Sequence, residues 1–211
     1  MGCVIRALLL IFKPVAAWDR ILQAQRSLMF LLFRYLLPMM LIVAVVEGFG
    51  LVEWGKPQAV VHRIQKFTVG ETVVFEMARL LTMLLIIMVC AFLIKMYGES
   101  FRERNSYRQT FTLVIYGLSP LFLLRLLDAA PGINPWVTWA AGVLLCSEVL
   151  YYGVPPVMDP DPPSAFGLYF MSSLVLVATT GLERFVTAWY LAGRMRPVKD
   201  ILDRLLLHLS S

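Results

Sequence analysis

The residues of this chain best placed to do chemistry are charges set inside apolar runs. A side chain ionised at the centre of a bilayer costs ~2.5 to 3.5 kcal/mol on insertion scales unless it is paired or hydrated. Arg34, Lys95 and Glu148 lie toward the side of the membrane on which the chain begins, and Arg125, Asp128, Glu183 and Arg184 lie toward the opposite side. Arg125 and Asp128 are three apart and can share a helix face. Each group is close to charge-balanced, which predicts ion pairs within it. The functional alternative is that the two groups line polar half-cavities admitting a lipid headgroup or an ion. Gly117 and Pro120 mark a candidate helix break between them, because proline has no N–H donor and disturbs the turn before it.

Other chemistries fit the sequence poorly. Gly50 to Lys56 reads G-L-V-E-W-G-K, the opening of a phosphate-binding loop. Pro57 then stands where Ser or Thr would hold magnesium, and the run follows an apolar helix instead of a strand. Asp159 and Asp161 are two apart, as calcium loops begin, but the surrounding prolines remove backbone donors and no distal glutamate follows. That segment reads as a stiff connector. The histidines, His62 and His208, lie outside the apolar runs, and Cys3, Cys90 and Cys146 are too scattered for a zinc site or disulfide framework. No catalytic residue, cofactor or metal is expected.

Composition dictates the elements that must position these charges. Hydrophobic residues make up 59% of the 211 residues and charged ones 16%, against roughly 45 to 50% and 25% in soluble proteins. The mean hydropathy is +0.74. One aqueous core cannot hold so much apolar surface at this length. The chain is therefore expected to be an all-α polytopic membrane protein. Crossing the hydrocarbon takes ~20 apolar residues in a helix, and five segments qualify: about 28–46, 73–96, 109–127, 133–152 and 166–192. Glu76 and Arg79 fall near the start of the second.

Short amphipathic helices are expected at both ends. Val15, Trp18, Ile21 and Leu22 recur at helical spacing within residues 1–27, which fits a helix in the membrane interface or one packed on the protein's own spans. Residues 193–211 carry Asp203, Arg204 and His208 among leucines and read as an interfacial tail. The fifth span has a competing end near Leu182, with Glu183 to Ala192 lying along the interface. The net charge of +5 is spread around the spans, which suits anionic headgroups and excludes nucleic acid. Basic residues number eight on one side and seven on the other, and the Arg-rich flank before the first span favours a cytoplasmic N-terminus. Gly142 and Cys146, and Ala188 and Ala192, have the four-residue spacing that lets helices approach closely.

Tyr116-Gly117-Leu118-Ser119-Pro120, the turn Pro131-Gly132, and Leu150-Tyr151-Tyr152-Gly153-Val154-Pro155 before a Pro-rich loop and Ala165 resemble the Yip1 family. Pro14, Trp18 and Ile21 are similar to its bacterial branch. The resemblance implies five transmembrane helices and a cytoplasmic N-terminus. It also implies a bacterial inner membrane. Eukaryotic relatives are associated with membrane traffic, Rab-type GTPases and hetero-oligomers. Their N-terminal Asp-Leu-Tyr-Gly-Pro motif has no counterpart in the roughly 27 residues before the first span, so Rab binding is not expected. Ser164 stands before Ala165 where many bacterial members carry a basic residue, which argues against phosphate binding by that loop. The expectation is a non-enzymatic membrane-organising or adaptor protein, working through homo-oligomers or a membrane-protein partner among membrane lipids. The alternative is a transporter or lipid-handling protein that uses the intramembrane charges.

Overall fold

The computed structural model describes residues 3–58, 63–100 and 106–191. Two short helices, α1 (Cys3–Phe12) and α2 (Pro14–Gln23), precede the first span. That span begins at α3 (Leu28–Leu31), where the Ser27 hydroxyl accepts the Phe30 N–H at 3.3 Å. It passes through a π-helical turn, Leu32–Leu36, into α4 (Leu37–Glu53). Pro38 explains the wide turn. Its ring crowds the carbonyl four residues earlier and it brings no donor, so the backbone spreads to an i→i+5 bond from the Leu37 N–H to the Leu32 carbonyl. Two three-residue strands, β1 (Lys56–Gln58) and β2 (Arg63–Gln65), pair antiparallel beyond the end of α4.

The second span is α5 (Val69–Ser100). The third is divided into α6 (Tyr107–Gly117), α7 (Ser119–Arg125) and a 3-10 turn, Leu126–Ala129. A capping box closes its start: the Gln109 side chain accepts the Ser106 N–H at 2.8 Å, and the Ser106 hydroxyl accepts the Gln109 N–H at 3.4 Å. The fourth and fifth spans are α8 (Pro135–Met158) and α9 (Pro162–Leu191). Asp159 ends α8 with φ +45°, reversing the chain before the prolines that open α9.

All five long helices are apolar enough to cross a membrane. Each runs past the core that hydropathy alone delimits. The first continues through Glu47 to Glu53, and the fifth continues unbroken through Glu183 and Arg184 to Leu191 instead of ending near Leu182. The third span is the centre of the bundle: 72% of its apolar stretch is buried, against 28 to 44% in the others. Close helix contacts around it depend on missing side chains. A Cβ on Gly142 would stand 2.7 Å from Leu121 and one on Gly117 2.8 Å from Leu150. The spacing of Gly142 and Cys146, both buried, is therefore filled by the same chain.

The N-terminal helices pack on the spans. Ala7, Leu10 and Trp18 are fully buried. The Trp18 indole lies against Gly153, where a Cβ would come within 2.5 Å, and its N–H donates to the Val149 carbonyl at 3.0 Å. The expected tail over residues 193–211 lies outside the described residues, as do His62 and His208.

Candidate functional site

Near the far end of the bundle, four of the spans close around Arg79 of α5. Its Nη1 donates to Glu47 Oε2 of α4 at 2.7 Å and its Nε to Glu183 Oε1 of α9 at 3.0 Å. Arg125 of α7 shares the same Glu47 oxygen at 3.1 Å and stands 4.0 Å from Glu183. Thr187 Oγ1 donates to Glu183 at 3.2 Å. Glu76, one turn before Arg79, is 3.9 Å from its guanidinium. Every ionised member of this group is at most 8% exposed. Such charges persist away from water only when paired and hydrogen-bonded, and the crossed Arg–Glu arrangement meets that demand for Glu47 and Glu183.

A second knot lies closer to the membrane surface. Arg184 pairs with Asp128 and donates through Nε to the Pro135 carbonyl at 3.1 Å. Thr138 Oγ1 donates to the other Asp128 oxygen. Lys56, where α4 gives way to β1, reaches the Asp128 main-chain carbonyl with its ammonium at 2.6 Å. Burial pushes the Lys56 pKa below its ordinary 10.5, against the pull of the Asp128 carboxylate. Glu47, Glu76, Asp128 and Glu183 thus balance Arg79, Arg125, Arg184 and Lys56 across the two knots.

Two cavities adjoin these groups. A void of about 20 Å³ is bordered by Glu47, Glu76, Arg79 and Arg125. Glu76 Oε1, Arg79 Nη2 and Arg125 Nε are buried without a hydrogen-bond partner, and the void has the size that admits one water molecule. The larger cavity, of about 560 Å³, is lined by the charged Glu47, Lys56, Arg79, Asp128 and Arg184 together with Trp54, Ile133 and Trp136. Trp54 and Trp136 are each 42% exposed, and such amphipathic rings are enriched where headgroups meet hydrocarbon. The cavity can hold an anionic polar group against cations while apolar walls receive what is attached to it.

Of the residues singled out in the sequence, Arg125, Asp128, Glu183 and Arg184 come together here. Arg125 and Asp128 do not pair with each other; each takes its partner from another helix. Arg34, Lys95 and Glu148 form no cluster. Arg34 and Glu148 are exposed, and Lys95 pairs with Glu99 at 3.4 Å on the surface of α5. Buried Tyr35 and Leu36 turn Arg34 outward, and buried Cys146 and Val149 do the same to Glu148. Gly117 and Pro120 flank Leu118, where α6 passes into α7 while Leu118 stays in helical conformation and keeps its bonds to Val114 and Phe122. Beside it the Ser119 and Tyr35 hydroxyls hydrogen-bond at 2.6 Å, and the Ser119 hydroxyl also lies 3.3 Å from the Ile115 carbonyl. Glu47 was not singled out in the sequence, Glu76 and Arg79 were noted only as lying near the start of the second span, and Lys56 only as the end of a poor phosphate-loop match. The signals were a carboxylate inside the apolar run Leu37–Val52, and a Glu–Arg pair three apart in the second span.

Five apolar helices enclosing a charge network define an integral, multi-pass membrane protein of the all-α class. A family model described as the Yip1 domain matches residues 8–182. The chain belongs to the Yip1 family. No curated protein and no solved structure is detectably similar to it.

Proposed function

We propose that this Yip1-family protein is a non-enzymatic, lipid-handling component of its membrane that holds the phosphate-bearing headgroup of a membrane amphiphile. The observation that carries the reading is the cavity of about 560 Å³ in which Lys56, Arg79 and Arg184 outnumber Glu47 and Asp128 among apolar lining residues. Lys56 gives one of its three N–H donors to the Asp128 carbonyl, which leaves two for a ligand. Its partial burial strengthens any pairing with an anion, because the field of a charge is screened less away from water. Arg184, tied to Asp128 and Pro135, fixes the cavity wall.

The test is native mass spectrometry of protein purified in mild detergent, comparing wild type with Lys56→Glu. Retention of phospholipid by the wild type and its loss in the variant, at an unchanged thermal midpoint, supports the reading. Equal retention by both refutes it.

A second reading rests on the family match: an adaptor that organises membrane through homo- or hetero-oligomers. Recovery of a stoichiometric protein partner in the same spectra would favour it. Both readings carry a proposed location in a bacterial inner membrane with the N-terminus in the cytoplasm, supported by the Arg-rich flank before the first span. Labelling single cysteines introduced near Gln25 and Trp54 with a membrane-impermeant reagent in intact cells tests that orientation.

A further inference from the structure

At the other end of the bundle lies a groove whose chemistry the charge network does not use. It encloses about 570 Å³ between α2, the end of α8 and the start of α9. Its wall is aromatic: Tyr151 meets Tyr152 and Tyr169 edge-on, with ring centroids 5.3 and 5.5 Å apart. Asp19 faces it from α2, on the side of that helix that carries Val15 and Trp18. Among the described residues, no lysine or arginine lines it.

Two further features point the same way. Glu148 precedes Tyr151 and Tyr152 by three and four residues on α8, so it shares their stripe one turn deeper in the membrane. It is exposed, about 15 Å from the end of the helix at 1.5 Å per residue, and a carboxylate at that depth calls for a cationic partner. Neither Asp19 nor Glu148 forms an ion pair with any described residue. Pro155 and Pro156, inside the helix, lack N–H groups, so the carbonyls of Tyr151 and Tyr152 lose their i+4 donors.

We infer that this groove binds the ammonium headgroup of a membrane lipid. Tyrosine faces attract a cation through their ring quadrupoles, Asp19 and Glu148 supply the opposite charge, and the two freed carbonyls accept its N–H donors. A lipid is the occupant because the groove opens beside Phe166 and Phe170, 70% and 54% exposed on the outer face of α9. A lipid also carries its ammonium at headgroup depth, where Asp19 and the tyrosine wall meet it, while Glu148, one turn deeper and outside the groove lining, adds its charge from within. The site is separate from the phosphate-holding cavity, which recognises a group common to most phospholipids.

The test uses full-length protein in nanodiscs of equimolar phosphatidylethanolamine and phosphatidylglycerol, with retained lipid read by native mass spectrometry. The wild type should retain the ammonium lipid with a preference of about tenfold. Asp19→Asn with Glu148→Gln should bring the ratio close to one. Asp19→Asn alone, at an exposed position, should lower it in part and keeps the test readable if the double variant does not fold. Lys56→Glu should reduce retention of both lipids without changing their ratio, which separates failure of this inference from failure of the phosphate reading. A wild-type ratio near one, or a ratio unchanged in folded Asp19→Asn with Glu148→Gln, overturns the inference. So does a stoichiometric protein seated on the groove with no lipid preference.

Discussion

Replacing Arg79 with leucine should be among the most damaging single changes this protein can suffer. Arg79 supplies the hydrogen bonds of 2.7 Å to Glu47 and 3.0 Å to Glu183. Without it, Glu47 keeps Arg125 at 3.1 Å, while Glu183 keeps only the Thr187 hydroxyl and a guanidinium 4.0 Å away. Removing one partner from a buried pair costs about 3 to 5 kcal/mol. In a chain of this length that corresponds to a fall in thermal midpoint of roughly 6 to 20 °C. Lys95→Ala, which breaks the exposed pair with Glu99, should cost about 0 to 1 kcal/mol. The assay is unfolding by a denaturing detergent, followed by the fluorescence of Trp139, whose indole lies 3.3 Å from Thr180 one turn before Glu183. Glu183→Leu should be similarly harmful alone. Combined with Arg79→Leu it should cost less than the sum by about 0.5 to 3 kcal/mol, because the double change removes both partners. Equal small costs for Arg79→Leu and Lys95→Ala, with strict additivity in the double variant, would refute a buried and coupled network.

Gly153→Ala places a methyl group 2.5 Å from the Trp18 ring and should destabilise by about 1 to 3 kcal/mol through overpacking, measured as a lower unfolding midpoint. Trp18→Phe removes the N–H bonded to Val149 and should cost about 0.5 to 1.5 kcal/mol in the same assay. Burial lowers the Lys56 pKa from 10.5, so the folded protein binds that proton less tightly than the unfolded chain does. Stability should therefore rise as pH climbs from the lowered value toward 10.5, while phospholipid retention falls over the same window; Lys56→Met should flatten both profiles.

The membrane class and the five spans were legible because hydropathy over ~20 residues is a local property. Position along the spans was legible too, and Arg125, Asp128, Glu183 and Arg184 do come together at one end of the bundle. Azimuth was not. Arg34, Lys95 and Glu148 were expected to share a side, yet they leave different helices in directions set by neighbours such as Tyr35 and Val149, which no one-dimensional pattern supplies. Glu47 was lost for a different reason: ending the first span at Val46 put the carboxylate one residue outside it, whereas the helix continues to Glu53. The docking of α2 depends on Gly153 and Val149, 131 residues beyond Trp18 in the latter case, so its burial had no local signature.

The order in which the network's charges leave the ribosome bears on how the protein is made. The first span delivers Glu47 and, just beyond it, Lys56; the second delivers Glu76 with Arg79; the third, Arg125 with Asp128; the fifth, Glu183 with Arg184. Each instalment brings one carboxyl and one basic side chain, and Glu76 with Arg79, three apart on one helix, can screen one another within it. A span can thus enter the bilayer without waiting for a distant counter-charge. In the folded bundle Arg79 keeps Glu76 at 3.9 Å and adds Glu47 and Glu183, and Asp128 takes Arg184 from 56 residues downstream. Local couples ease insertion, and the long-range pairs lock the helices together once the last has arrived.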